Sequence, residues 1–221
     1  MSEQTVSDRD WKAFEVDVAD QVAEVRLTGP GKGNAMGPDF WRELPDIIEA
    51  LDADDEVRAI IVTGSGKNFS YGLDLPAMSG ALGPALADNA KAKPRTDFHN
   101  TIIDMQRAIN AVADSRTPVI ASVSGWCIGG GVDLITAADI RYASADAKFS
   151  VREVRVGMVA DMGSLARLPA IIGDGHLREL ALTGKDIDAQ RAATIGLINE
   201  VTETPEESLA LARTTAKQIA A

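Results

Sequence analysis

The chemistry this sequence suggests is carried by three acidic residues and a run of glycines. Gly129-Gly130-Gly131 interrupts an apolar run and leads into a helical pattern whose first turn carries Asp133. Glu153 follows twenty residues later and Asp161 eight after that, both set among Val, Met and Ala. A glycine turn at a helix start leaves backbone N–H groups without partners, and the helix dipole adds to their pull on a developing negative charge. Carboxylates in apolar company are poised for proton transfer. Together these parts could form an enolate and quench it. Each acid also has a plainer reading. Asp133 could sit solvated at the helix start, where the dipole favours it by about 0.3–1 kcal/mol. Glu153, within Val-Arg-Glu-Val-Arg-Val, could lie on an exposed, salt-bridged strand. Asp161 could cap a helix beginning near Ser164.

Other chemistries have less support. His99 and His176 stand alone, outside any HExxH spacing and without a neighbouring cysteine. There is no GxSxG elbow, and the glycine loops lack the GK[ST] ending of a nucleotide-hydrolysing loop. The single cysteine, Cys127, rules out an internal disulfide and reads as a small buried hydrophobe in a reducing compartment. A formal charge of −11 argues against nucleic acid as the main partner. The N-terminus has no apolar core for a secretory signal and is too acidic for a transit peptide, and no segment approaches the length of a membrane span. A cytoplasmic protein is therefore expected, with neither a membrane nor a nucleic acid as partner.

The elements that must position these residues alternate along a chain of 221 residues, enough for one large domain or two small ones. Residues 14–18 and 22–27 show a period of two and predict a hairpin. A loop from Gly29 to Asn34 leads to Pro38, near the start of a helix with Phe40, Leu44, Ile47, Ile48 and Leu51 on one face. Val57–Val62 predicts a buried strand. The segment from Pro76 to Pro94, rich in Gly, Ala and Pro, reads as a mobile surface stretch. A helix with Ile102, Met105, Ile109 and Val112 on one face leads to the strand Val119–Val123. Beyond about Gly184 the chain reads as helical, with no further strand needed. Strand, glycine turn and helix in succession predict an α/β sheet, largely parallel, whose ligand site lies beyond the carboxyl ends of the strands. Two such exits stand out, at 68–75 and 125–131. Asp74 reads as a turn or cap residue, and Asp139 as a partner for Arg141.

At this point the chain resembles the crotonase, or enoyl-CoA hydratase/isomerase, superfamily over nearly its whole length. The matching pieces are Gly33-Asn34-Ala35-Met36, Phe69-Ser70-Tyr71-Gly72-Leu73-Asp74-Leu75, 125–134, Asp139-Ile140-Arg141, 149–157 and 193–198. The resemblance implies an α/β, crotonase-like spiral of ββα units, shared with Clp-type peptidases, and a helical C-terminal region. It implies a core over 1–184 that holds the acyl-CoA site, and a helical region over 185–221 that is shortened relative to the family. It implies an acyl-CoA thioester as substrate, no cofactor beyond the coenzyme A of that substrate, no metal, and a homotrimer or a pair of trimers. The family's oxyanion hole maps to the backbone N–H groups of Leu73 and Gly130. Ala35, Ser70, Tyr71, Gly72, Asp74 and Gly129 fall on the substrate-binding loops, and Lys32 is a candidate cation for the phosphates of coenzyme A.

Within the family the acids separate the activities. Hydratases carry glutamates at the positions of Asp133 and Glu153 and a glycine at that of Asp161. The trio Asp133, Glu153 and Asp161 is similar to the dienoyl-CoA isomerases, which move a 3,5-diene into 2,4 conjugation with the thioester. A hydratase holds one water over adjacent carbons. A dienoyl isomerase removes a proton from C2 and returns one at C6, and so needs acid/base groups spread along the acyl chain. The expected enzyme is a β-oxidation isomerase. The alternatives are an enoyl-CoA hydratase, a single-bond enoyl isomerase, or a catalytically weak acyl-CoA-binding subunit.

Overall fold

A computed structural model describes residues 5–221, with the side chains of Lys32, Leu82 and Leu86 outside the described residues. The hairpin forms as its alternation predicts: β1 (Phe14–Ala19) and β2 (Val22–Leu27) pair antiparallel across Asp20 and Gln21. Both turn residues take positive φ, at 51° and 64°, which matches the twist of a two-residue hairpin loop. Pro38 opens α1 (Pro38–Asp52), whose apolar face buries Phe40, Leu44, Ile47, Ile48 and Leu51. Next come β3 (Ala59–Gly64), α2 (Leu75–Leu86), α3 (Ala92–Ala113), β4 (Val119–Val123) and β5 (Trp126–Ile128). After these, α4 (Gly130–Ala137) leads to β6 (Ile140–Ser144), β7 (Lys148–Ser150), α5 (Ser164–Ile172) and α6 (Asp174–Thr183). The chain closes with β8 (Ile187–Asp188), α7 (Ala189–Thr194), β9 (Glu200–Thr202) and α8 (Pro205–Ala220).

Six strands form one sheet in the order β1-β2-β3-β4-β6-β9, parallel throughout except for β1. A second, small sheet runs β5-β7-β8. The inner strands β3 and β4 of the large sheet bury both faces, as a parallel sheet requires. Val25, Ile60, Val62, Val119, Ala121 and Val123 enter the main core beneath α1, α3 and α4. Their alternates Val22, Ala59, Ile61, Ile120 and Tyr142 form a second cluster against Ala212, Ala216 and Ala220 of α8. The small residues of α8 let its backbone lie close to the sheet. A Thr204/Glu207 capping box fixes where it starts.

Three expectations are corrected. The stretch from Pro76 to Pro94 is helical for most of its length, because Asp74 caps α2 through the Ala77 N–H and Pro76 sits in the first turn, where no N–H is missed. Its near-uniform Ala, Gly and Pro content gives no apolar stripe to read. The chain beyond Gly184 is not wholly helical: β8 pairs with β7 and β9 extends the large sheet beside β6. Strands of two and three residues are too short to display a period. Finally, the Asp139 carboxylate accepts the Val119 N–H at 2.8 Å, while the Arg141 guanidinium donates to the carbonyls of Ala138 and Leu197. The hydrogen bonds of both side chains go to backbone groups, and Asp139 acts on Arg141 only through its charge.

Candidate active site

The site is assembled by strand register. β5 and β7 run parallel with Ile128 opposite Ser150, so the residues leaving each strand emerge at the same edge. From β5 the chain turns at Gly129, with φ of 54°, and enters α4 at Gly130. From β7 it passes Arg152 into a 3₁₀ turn over Glu153–Val156. Glu153 therefore comes back over the glycine turn: a Cβ on Gly129 would stand 3.2 Å from Glu153 Oε1. The plainer reading of Glu153 on an exposed strand does not hold.

The loop after β3 reaches the same edge. Ser70 bridges to Cys127 and Leu73 to Met36, both in parallel sense. The buried Ser70 hydroxyl donates to the Asn34 carbonyl and accepts the Gly72 N–H, and the Asn34 amide, at φ of 45°, donates to the carbonyls of Ser65, Asn68 and Phe69. These bonds hold residues 70–73 against α4. Gly72, at φ of 76°, is forced to lack a side chain, since a Cβ would lie 2.6 Å from the Ile128 carbonyl oxygen and 3.0 Å from the Gly130 nitrogen. A Cβ on Gly130 would lie 2.8 Å from Met36 Sδ and 3.8 Å from the Leu73 nitrogen. The Leu73 and Gly130 N–H groups thus lie side by side. Among the described residues neither donates a hydrogen bond to another backbone group outside helices and strands.

Both line a cavity of about 270 Å³ that also takes in Asp133, Glu153 and Asp161. The rest of its wall is apolar: Trp41 of α1, Phe98, Ile102 and Met105 of α3, and Met158, Val159 and Met162 from the segment before α5. All three acids hold protons more tightly than usual. Burial pushes Glu153 up to about 7, and the neighbouring Asp133 and Asp161 add to the rise. Its Oε2 is buried and has no hydrogen-bond partner among the described residues, as expected of a carboxyl kept free for a proton. Asp133, 1% exposed, is pushed up to about 6 by burial in spite of the Ser164 N–H that it accepts at 2.7 Å. That bond overturns two readings. Asp133 is no solvated helix-start acid, and it is Asp133, not Asp161, that caps α5 by reaching across from α4. Asp161 stands at the cavity mouth, its proton affinity raised by partial burial, with its carbonyl held by Gln106 Nε2 at 2.7 Å.

The remaining sequence candidates divide. Gly72 and Gly129 shape the turns, and Ser70 ties the loop. The exposed Tyr71 ring lies over Gly33, where a Cβ would collide with it. Asp74 spends its carboxylate on α2, which leaves it a structural part. Ala35 continues the loop in extended conformation. The Lys32 side chain lies outside the described residues. Among the described residues no cluster of His, Cys, Asp and Glu has the makings of a metal site, and no helix is long and apolar enough to cross a membrane. Sequence reasoning missed the apolar wall on α3, Gln106 and the structural role of Asn34. Gln106 and Asn110, one helical turn apart on α3, are a pattern that could have flagged polar contacts to a second segment.

Comparison with known proteins identifies the family. The enoyl-CoA hydratase/isomerase family profile matches residues 17–221. The Δ(3,5)-Δ(2,4)-dienoyl-CoA isomerase of Arabidopsis thaliana, named peroxisomal, is 42% identical over 180 residues, 81% of this chain and 65% of its own. The Homo sapiens enzyme of that name, described as mitochondrial, is 40% identical over 199 residues, 90% of this chain and 60% of its own. Among solved structures, an enoyl-CoA hydratase from Bacillus anthracis superposes with a TM-score of 0.84 at 27% identity, covering 95% of this chain and 77% of that one. The chain spans about three fifths to two thirds of the length of the two isomerases. Their peroxisomal and mitochondrial names overturn the expectation of a cytoplasmic protein, which rested on the single cysteine, the composition of the N-terminus and the lack of a long apolar segment.

Proposed function

The chain belongs to the enoyl-CoA hydratase/isomerase family, and from that premise we propose that it isomerises 3,5-dienoyl-CoA thioesters to their 2,4-dienoyl isomers. The observation that carries the proposal is the convergence on one apolar cavity of three carboxyls and two N–H groups that, among the described residues, donate to no other backbone group outside helices and strands. The thioester oxygen sits at the Leu73 and Gly130 N–H groups, which lower the energy of the dienolate because they are already aimed where its charge develops. Glu153 and Asp161 stand towards different parts of the acyl chain. One, ionised, takes a proton from C2; the other, protonated, gives one to C6. The electron pair released at C2 runs through the diene, so that the double bonds end at C2–C3 and C4–C5. Raised proton affinities suit both acids, because a group that exchanges protons near neutrality wastes little driving force in either direction.

Asp133, buried in α4, is the third, polar member of the trio. Its negative charge stabilises Glu153 in the protonated form. The apolar wall on α3 takes the acyl tail and keeps water from the dienolate, which would otherwise be protonated at random. Lys32 is assigned to the phosphates of coenzyme A, and no cofactor beyond the coenzyme A of the substrate enters the chemistry. Assembly as a homotrimer or a pair of trimers belongs to the same proposal.

The test is a direct assay of purified protein with 3,5-dienoyl-CoA, following the 2,4-dienoyl absorbance. Appearance of that product, without hydration of crotonyl-CoA at a comparable rate, supports the proposal. Hydration without isomerisation assigns the site to a hydratase. Binding of acyl-CoA without either reaction assigns it to a binding subunit.

A further inference from the structure

Arg167 lies outside the mechanism above and beside it in space. It belongs to the first turns of α5, which begins where Asp133 accepts the Ser164 N–H. Its guanidinium packs over Gly163, the residue before that N–H. Gly163 has φ of 118°, and a Cβ there would collide with Arg167 Nη1. Nη2 donates to Asn110 Oδ1 of α3 at 2.6 Å. Nη1 is buried and has no hydrogen-bond partner among the described residues. A buried guanidinium nitrogen without an acceptor is costly in a site that needs only packing. It is accounted for if the charge is what matters.

The groups facing Asp133 can be named element by element. The 3₁₀ turn brings Glu153, and the segment before α5 brings Asp161. From β5 comes the buried, neutral Cys127 thiol. α3 presents apolar Phe98, Ile102 and Met105 to the cavity. Among these described groups Arg167 is the cation; the bonds from Ser164 oppose the rise that burial imposes on Asp133, and the charge of Arg167 opposes it to a smaller extent. Three carboxyls crowded at one cavity cannot all ionise without such a charge.

On the reading of the site as a dienoyl isomerase, we propose that Arg167, clamped by Asn110, is the positioning residue of the trio: it packs over Gly163, fixes the Gly163–Ser164 peptide against the Asp133 carboxylate and brings a positive charge to the crowded acids. Two polar variants separate charge from packing. R167Q keeps a hydrogen-bonding group for Asn110 and loses the charge, whereas R167K keeps the charge and loses the fork. The first readout needs no substrate: proteins labelled with ¹³C in the aspartate carboxyls are titrated by NMR, with the Asp133 signal assigned by its loss in D133N. We expect the Asp133 midpoint to rise in R167Q and to stay near that of the parent in R167K. The second readout is the pH profile of isomerase turnover, whose acid limb should move in R167Q and stay in place in R167K, kcat changing more than KM. An Asp133 midpoint in R167Q equal to the parent's, or displaced equally in R167K and R167Q, would overturn the proposal. A displaced midpoint in a protein that does not isomerise dienoyl-CoA would uphold the role of Arg167 and remove the reaction assigned to the site.

Discussion

Replacing Glu153 by Gln should make the protein more stable and nearly inactive, and the gain in stability should depend on pH in a calculable way. Glu153 titrates at an ordinary 4.5 when the chain is unfolded and at about 7 when folded, chiefly because burial penalises its charge. Between these two values the folded state binds more protons than the unfolded state, so stability falls as pH rises through that window. At about 1.4 kcal/mol per pH unit the full loss is about 3 kcal/mol, complete above pH 7 and absent below 4.5. Gln has nearly the same shape and does not titrate. The stability difference between E153Q and the parent should therefore be constant below pH 4.5, grow by about 3 kcal/mol between 4.5 and 7, and level off. For a chain of this size that growth corresponds to about 9 °C in melting temperature. Any fixed offset from the buried amide cancels in the comparison. Turnover should fall by about 10²–10⁴-fold, the usual worth of a positioned acid or base. Urea unfolding of both proteins at several pH values between 4 and 8 reads the difference directly. Parallel stability curves would mean that Glu153 titrates normally, and the acid/base role argued from its burial would fall.

Further outcomes follow from the same geometry. D161N should lower turnover by about 10²–10⁴-fold while leaving the folded cavity in place; full isomerase activity in that variant, measured on 3,5-dienoyl-CoA, would remove the case for a diene substrate. Gly130→Val should abolish turnover in a folded protein, since side-chain carbons would press on Met36 Sδ and displace the Leu73 region, and one lost oxyanion donor costs about 2.7–4 kcal/mol. L73P deletes the proposed donor and should lose activity, whereas L73M keeps it and should retain most; equal activity in the two, both shown folded by circular dichroism, would place the thioester elsewhere. The acid limb of the turnover profile should have an apparent midpoint well above that of a free carboxylate, because the working base, Glu153 or Asp161, must ionise against burial; a flat profile from pH 4 to 8, with chemistry rate-limiting, would contradict this.

Much of the site was legible because it is built on strand exits. Gly129 to Gly131 and Ser70 to Leu73 follow strands with clear apolar patterns, and glycines there signal backbone that must approach closely. Asp133, Glu153 and Asp161 are conspicuous as acids in apolar surroundings, and the structure brings all three to one cavity. What spacing could not show is which acid does which structural task. Asp161 lies three residues before α5 and reads as its cap, yet the cap comes from Asp133, thirty-one positions away in sequence. A cap supplied across two helices leaves no local signature. β8 and β9 escaped notice for a related reason: they exist because β7 and β6 offer them an edge, and two or three residues carry no pattern of their own. The helix over 75–86 was hidden by composition, since its Ala, Gly and Pro content lacks a polar face to contrast with a buried one.

The central claim is that Glu153 and Asp161 move different protons at the two ends of a dienoyl group. It is tested most directly by running the reaction in deuterium oxide and locating the label by proton NMR. The account predicts a 2,4-dienoyl-CoA product carrying deuterium at C6, delivered by an acid that has exchanged with solvent, with that incorporation lost along with turnover in both E153Q and D161N. A product without deuterium at C6, a product hydrated at C3, or unchanged incorporation in either variant would contradict it.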